Sequence, residues 1–261
     1  MLHPIINTAV KAARQAGEMI IRARDKLDPN KIETKAHNDW VTNVDQAAEN
    51  IIIDVLHEAY PKHNFLCEER GSLEFGDPDN VWIIDPLDGT TNYIKGLPHY
   101  VVSIALQTKG RLEHAVLYDP NLQEIFTASR GQGAQLNDKR IRVSSQYKFD
   151  GSILSFAVPR LKEYLPQCHH AVDVLYNQMA GLRRTGATAL DLAYVAAGRL
   201  DAFWNINMQP WDLAAGVLLV REAGGMVTDL DGGDDFFEKQ HCIAANPKML
   251  KQVLQLLKST P

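Results

Sequence analysis

The chain has 261 residues, 45% of them hydrophobic, enough for a substantial core in one large domain or two coupled ones. Its formal charge of −5, with lysines and arginines scattered rather than blocked, argues against direct nucleic-acid binding through phosphates and leaves anionic ligands to some local device such as bound cations. No apolar run approaches the roughly 20 residues of a membrane span, so no membrane association is expected. Cys67, Cys168 and Cys242 match no zinc or redox spacing, and a cytoplasmic chain with free thiols is expected.

An amphipathic helix is predicted from His3 to about Leu27, with Ile5, Ala9, Ala12, Ala13, Ala16 and Ile20 on one face and the breaker cluster Asp28-Pro29-Asn30 after it. This is not the apolar segment of a signal peptide. A polar loop over Lys35–Asp39 leads to Trp40-Val41-Thr42. A second helix follows, with Ala48, Ile51, Ile52, Val55, Leu56 and Ala59 at helical spacing and Thr42 or Asn43 as its cap, which puts Asp45 in the first turn. Strands are predicted at Asn64–Cys67, Val81–Ile84, Val101–Leu106, Ala115–Tyr118 and Glu124–Ala128, with turns at Arg130–Gly133 and Asn137-Asp138. Beyond about residue 145 strands and helices alternate. Strands are expected at Gly151–Ala157, Leu182–Thr185, Asp201–Trp204 and Cys242–Ala245. Helices are expected at His170–Ala180, Ala187–Ala197, Asp212–Ala223 (ended by Gly224-Gly225) and Pro247–Lys258. The fold class is mixed α/β: an α+β half, 1–145, followed by an α/β half, 146–261. Trp204 and Trp211 are expected to pack between the halves.

The chemistry concentrates in Trp82-Ile83-Ile84-Asp85-Pro86-Leu87-Asp88-Gly89-Thr90-Thr91-Asn92. An apolar strand ends at Asp85 and the chain turns through Pro86 and Asp88-Gly89. Two carboxylates so spaced can converge on one point, and the Leu87 carbonyl can join them. Taken alone, the segment also reads as a polar turn with Asp88 capping a helix. Further acids beside apolar ends weigh against that bland explanation. Glu68-Glu69 follows Phe65-Leu66-Cys67, Asp212 opens a helix rich in small residues, and Asp39 and Asp45 flank Val41-Thr42. If these groups meet, each pair of charges at about 4 Å and an effective dielectric near ~20 costs roughly 4 kcal/mol, so a cluster needs cations to stay ionised. All-oxygen ligands select magnesium, with manganese as a substitute, over zinc. Two such ions suit phosphoryl transfer.

The segments WVTNVDQAAE (40–49), CEER (67–70), WIIDPLDGTTNYIKGLPHYVVSIAL (82–106) and PWDLAAGVLLVREAGG (210–225) resemble, in order, the signature stretches of the inositol monophosphatase family. RGQGAQLND (130–138) and RRTGATALDLAYVAAGRLDAF (183–203) are closer still to one bacterial branch of it. The resemblance implies a layered αβαβα sandwich, a homodimer, and hydrolysis of myo-inositol monophosphate or a related polyol or sugar phosphate. It implies that Glu68, Asp85 and the Leu87 carbonyl hold a first magnesium and that Asp85, Asp88 and Asp212 hold a second. Glu68 would support a third through water. Asp45 and Thr90 would orient the attacking water, with Glu69 and Asp39 behind them. Gly89, Thr90 and Thr91 would contact phosphate, and Gly186, Ala187, Asn205 and Asp212 the rest of the substrate. Asn205 stands where the family carries glutamate, and Gly186-Ala187-Thr188 permutes the family's small residues, so the metal chemistry transfers more fully than the substrate. Two rivals within the fold are a 3′-phosphoadenosine 5′-phosphate phosphatase and a fructose-1,6-bisphosphatase. The bacterial branch implies a regulatory role of a different class, in ribosomal RNA transcription complexes with Nus factors and RNA polymerase, working through protein contacts.

Overall fold

The computed structural model describes residues 3–24, 32–36, 39–156, 165–176 and 178–258, without the side chains of 32–41, 167, 168, 171 and 258. The breaker cluster at 28–30 and the last residue of the strand expected at Gly151–Ala157 lie outside the described residues, as do the side chains of Asp39 and Cys168.

Helix α1 (Pro4–Arg24) buries Ala9, Ala12, Ala13, Ala16 and Ile20 as its spacing predicts, but Ile6 in place of Ile5, which is only half-buried. A small antiparallel pair, β1 (Ile32–Ala36) and β2 (Asp39–Thr42), replaces the expected polar loop. The segment Ile-Glu-Thr-Lys-Ala lacks apolar alternation, so its pairing rests on backbone bonds that leave no pattern in the sequence. Helix α2 (Asn43–Ala59) starts where expected. Thr42 Oγ1 accepts the Val44 amide at 3.1 Å, and Asp45 reaches back to the Thr42 amide at 2.9 Å, a reciprocal cap.

A first large sheet follows from β3 (His63–Cys67), β4 (Gly71–Leu73) and β5 (Asp77–Asp88), then, after the short helix α3 (Thr90–Ile94), β6 (Val101–Thr108), β7 (Arg111–Asp119), β8 (Glu124–Ser129), β9 (Gly133–Leu136) and β10 (Lys139–Arg140). Its order is β10-β9-β8-β7-β6-β5-β3-β4, with β3 and β5 parallel and the other pairs antiparallel. Asn137 and Asp138, at φ 46° and 64°, make the tight turn between β9 and β10.

The second sheet is built from β11 (Ile153–Phe156), β12 (Gly181–Arg183), β13 (Ala202–Ile206), β14 (Met226–Thr228) and β15 (His241–Ala245), in the order β12-β11-β13-β15-β14. Between them run α4 (Leu165–Tyr176), α5 (Thr188–Ala196), α6 (Pro210–Glu222) and α7 (Phe236–Lys239), and α8 (Pro247–Lys258) closes the described chain. The helix expected at His170–Ala180 lies at Leu165–Tyr176, so His169-His170 falls inside it. Beyond it, the amides of Ala180 and Gly181 turn to the Ser152 carbonyl at the head of the sheet, so those residues join the sheet and not a helix.

Three cores stack these elements into α/β/α/β/α layers. Helices α1 and α2 cover the outer face of the first sheet. Helices α5 and α6 fill the space between the sheets, and α4 and α8 cover the outer face of the second. Leu213 through Val220 of α6 are all buried, the mark of a helix wrapped on every side. Gly216 allows that approach: a Cβ there would lie 2.5 Å from Leu192 of α5. Trp211 packs on the middle core, as expected. Trp204 does not: it points to the outer core and stacks on Phe156 with ring centroids 5.4 Å apart. The alternation of β13 decides this, since Phe203 faces inward and its neighbour must face out.

Candidate metal centre

Strand β5 does not end at Asp85 as expected; it continues to Asp88, and its pairing with β6 slips between those two residues. Pro86 has no N–H to give to the ladder, which accounts for the slip. Asp85 Oδ1 accepts the Leu87 amide at 2.9 Å. The chain then passes through Gly89 at φ 100°, where a Cβ would sit 2.9 Å from the His99 carbonyl. No other residue fits that turn without displacement.

Asp212, at the start of α6, comes to the same place from the second half of the chain. Oxygens of Asp85, Asp88 and Asp212 all lie within 4.8 Å of one another. Glu68, just past β3, is hydrogen-bonded through its side chain to Asp85. Burial and then the charges of Glu68, Asp88 and Asp212 push the Asp85 carboxyl well above its ordinary range. Burial and Asp212 do the same to Asp88, partly offset by the Ala189 amide, which donates to Asp88 Oδ2 at 2.6 Å. Asp212 Oδ2 accepts the Gln209 amide at 2.8 Å, which fixes its carboxylate at the helix start.

Beside this cluster runs a second hydrogen-bonded chain. Thr90 Oγ1 lies 2.9 Å from Asp45 Oδ1 and 3.0 Å from the Leu87 carbonyl. Asp45 is 1% exposed, its other oxygen taken by the Thr42 hydroxyl at 2.6 Å and the Thr42 amide. Burial raises its pKa against those donors.

The sequence-predicted residues therefore fall into two sets. Glu68, Asp85, Asp88 and Asp212 meet, and Asp45, Thr90 and Leu87 adjoin one another. Gly186 and Ala187 lead into α5, whose Ala189 amide touches Asp88. Thr91 is exposed on α3. Asn205 is buried in β13, its Oδ1 accepting the Ile206 amide at 2.7 Å. The Glu69 amide donates to Glu49 Oε2 at 2.9 Å, and Glu49 is fully buried in α2. His99 sits edge-on to Tyr194 at a centroid distance of 5.8 Å, a packing role. Burial raises the Cys67 and Cys242 thiols, which suits them to no nucleophilic part.

Three contributors escaped the sequence reading: the Ala189 amide, Asn92 and Asp191. Asn92 Nδ2 donates to the carbonyls of His99 at 2.7 Å and Thr185 at 2.9 Å, joining the two ends of the site. Asp191 is a buried acid in a helix whose other buried residues are apolar, which was a legible signal.

An all-oxygen donor set whose members repel one another when ionised is what a hard divalent cation takes. The chain belongs to the inositol monophosphatase family, whose model matches residues 1–260. It is 52% identical over 254 residues to the Nus factor SuhB of Escherichia coli K12, spanning 97% of this chain and 95% of that one. The crystal structure of extragenic suppressor protein suhB from Bartonella henselae superposes with a TM-score of 0.97 at 40% identity, over 99% and 100% of the two chains. The inositol monophosphatase of Anabaena (Nostoc) sp. PCC 7120 gives 0.87 at 33% identity, over 98% and 95%.

Proposed function

We propose that the chain is a magnesium-dependent phosphomonoesterase that hydrolyses myo-inositol monophosphate or a related polyol or sugar phosphate. The observation that carries this reading is the convergence of Asp85, Asp88 and Asp212 within 4.8 Å, with Glu68 bonded to Asp85. Glu68, Asp85 and the Leu87 carbonyl hold one magnesium; Asp85, Asp88 and Asp212 hold another; Glu68 supports a third. When bound, these ions neutralise charge on the phosphate and acidify water. Asp45 and Thr90, already hydrogen-bonded to each other, orient the attacking water, whose proton passes to the Thr90 hydroxyl as that hydroxyl gives its own to the Asp45 carboxylate. Gly89, Thr90 and Thr91 present backbone and hydroxyl donors to the phosphate. Gly186, Ala187, Asn205 and Asp212 face the alcohol portion, and Asn205 sets its hydroxyl preference. Residues 1–145 carry most of the ligands and 146–261 bring Asp212. The working unit is a cytoplasmic homodimer.

Release of phosphate from a panel of esters with magnesium tests the reading. Myo-inositol monophosphate is expected to exceed fructose-1,6-bisphosphate and 3′-phosphoadenosine 5′-phosphate. Strong preference for either of those two would remove the inositol assignment, and activity indifferent to chelation would remove the metal.

The name Nus factor carried by the Escherichia coli and Pseudomonas aeruginosa relatives favours a second role, in transcription complexes containing Nus factors and RNA polymerase. With a net charge of −5 that role would work through protein contacts. Ribosomal RNA synthesis is expected to fall on deletion and to persist with an Asp85→Asn chain. An equal fall in both would tie the role to catalysis.

A further inference from the structure

We propose that Asp191 is a positioning residue of the metal centre: by gathering hydroxyls from two neighbouring segments it fixes the first turn of α5, where the Ala189 amide meets Asp88. The proposal rests on the metal-site reading above. Asp191 is 2% exposed. Its Oδ2 accepts Ser155 Oγ from β11 at 2.5 Å and Thr185 Oγ1, ahead of α5, at 2.7 Å. Among the described residues its Oδ1 has no hydrogen-bond partner and faces His99 Nε2, likewise without one there, at 3.7 Å.

The geometry of α5 explains why such a clasp is needed. Its N-cap position is Ala187, which has no side chain able to cap, so the first-turn amides must find acceptors elsewhere. One of them is Asp88, which gives the helix start a direct hold on a metal ligand. Asp191 stands one turn further along, and its own amide closes on the Ala187 carbonyl at 3.1 Å. Two short hydroxyl bonds to its carboxylate therefore hold the turn that aims Ala189. Asn92 braces the same place from the other side, because its amide ties the Thr185 carbonyl to the His99 carbonyl. Gly186, whose Cβ would lie 3.2 Å from Asn92, permits that closeness. A buried carboxylate costs free energy to desolvate, and an apolar residue at 191 would suit the surrounding core. Its presence there is explained by the clasp.

The test is Mn2+ binding, read as free Mn2+ by electron paramagnetic resonance on the full chain, beside turnover at saturating metal. Support of this kind behind a ligand alters metal affinity by about 10- to 100-fold. Asp191→Ala is expected to raise the Mn2+ half-saturation concentration about tenfold, with kcat at saturating metal within about threefold of the parent. Asp191→Asn keeps an oxygen for both hydroxyls and should stay within about threefold in both readouts, a rescue that loss of packing alone would not give. Unchanged Mn2+ affinity in Asp191→Ala, or equal losses in the two variants, would overturn the proposal. If Asp191→Ala does not fold, the Ser155→Ala/Thr185→Val double variant takes its place, and full Mn2+ affinity there overturns it equally. A parent chain that binds no Mn2+ would instead sink the metal-site reading itself.

Discussion

At the scale of single residues, the site depends on groups with little freedom to change. Thr90 joins Asp45 to the Leu87 carbonyl through one hydroxyl. Replacing it with valine keeps its shape and removes only that oxygen. Turnover of the phosphate ester is expected to fall by about a hundredfold or more, the scale of a lost proton-handling contact. Full activity in Thr90→Val would remove Thr90 from the reaction. Gly89 is constrained by backbone. At φ 100°, with the His99 carbonyl 2.9 Å from any added Cβ, Gly89→Ala should destabilise the chain by about 1–3 kcal/mol in urea unfolding. An unaltered midpoint would show that the turn can relax. Residue types read well in sequence here because acids beside apolar strand ends have few uses. Asp191 and Asn92 did not read as site residues, because each makes one of its bonds to a segment distant in the chain, Asp191 to Ser155 and Asn92 to Thr185. Asn92 sat inside the most informative motif, yet its bonds to His99 and Thr185 belong to tertiary structure alone.

Elements were legible where burial imposed a period. The stripe of α1, the spacing and cap of α2, and the all-apolar α6 follow from one buried face or from burial all round. The β1–β2 pair was missed because its backbone bonds need no apolar pattern, and β5 was cut short because proline reads as an end rather than a slip in register. Helix α4 was displaced by several residues, since its end is set by the Ser152 carbonyl on a neighbouring segment. The element junction that matters most is the link between α3 and α5. Asn92→Ala would leave the His99 and Thr185 carbonyls without their donor in a half-buried setting, at a cost of about 1 kcal/mol. Thermal unfolding should show that loss. A variant as stable as the parent would show that water replaces the amide there.

Across the whole molecule, the layered fold brings carboxylates from both halves of the chain to one place, and their repulsion is expected to make stability depend on cations. An unfolded aspartate titrates near ~3.9. Asp85 and Asp88 hold their protons more tightly than that in the folded, metal-free chain. Their contribution to stability is therefore complete below about pH 4 and is lost as the pH climbs through their raised values. With chelator present, the melting temperature should decline as the pH rises above about 4, the unfolded value, and magnesium should oppose the decline more strongly at the higher pH. A magnesium effect independent of pH would contradict this.

In the proposed reading, Asp85 anchors divalent cations which carry the hydrolysis. That role is tested most directly by kcat for myo-inositol monophosphate in Asp85→Asn against the parent chain, both at saturating magnesium. A carboxylate shared by two ions predicts a fall of at least about a thousandfold. Turnover near that of the parent would contradict it.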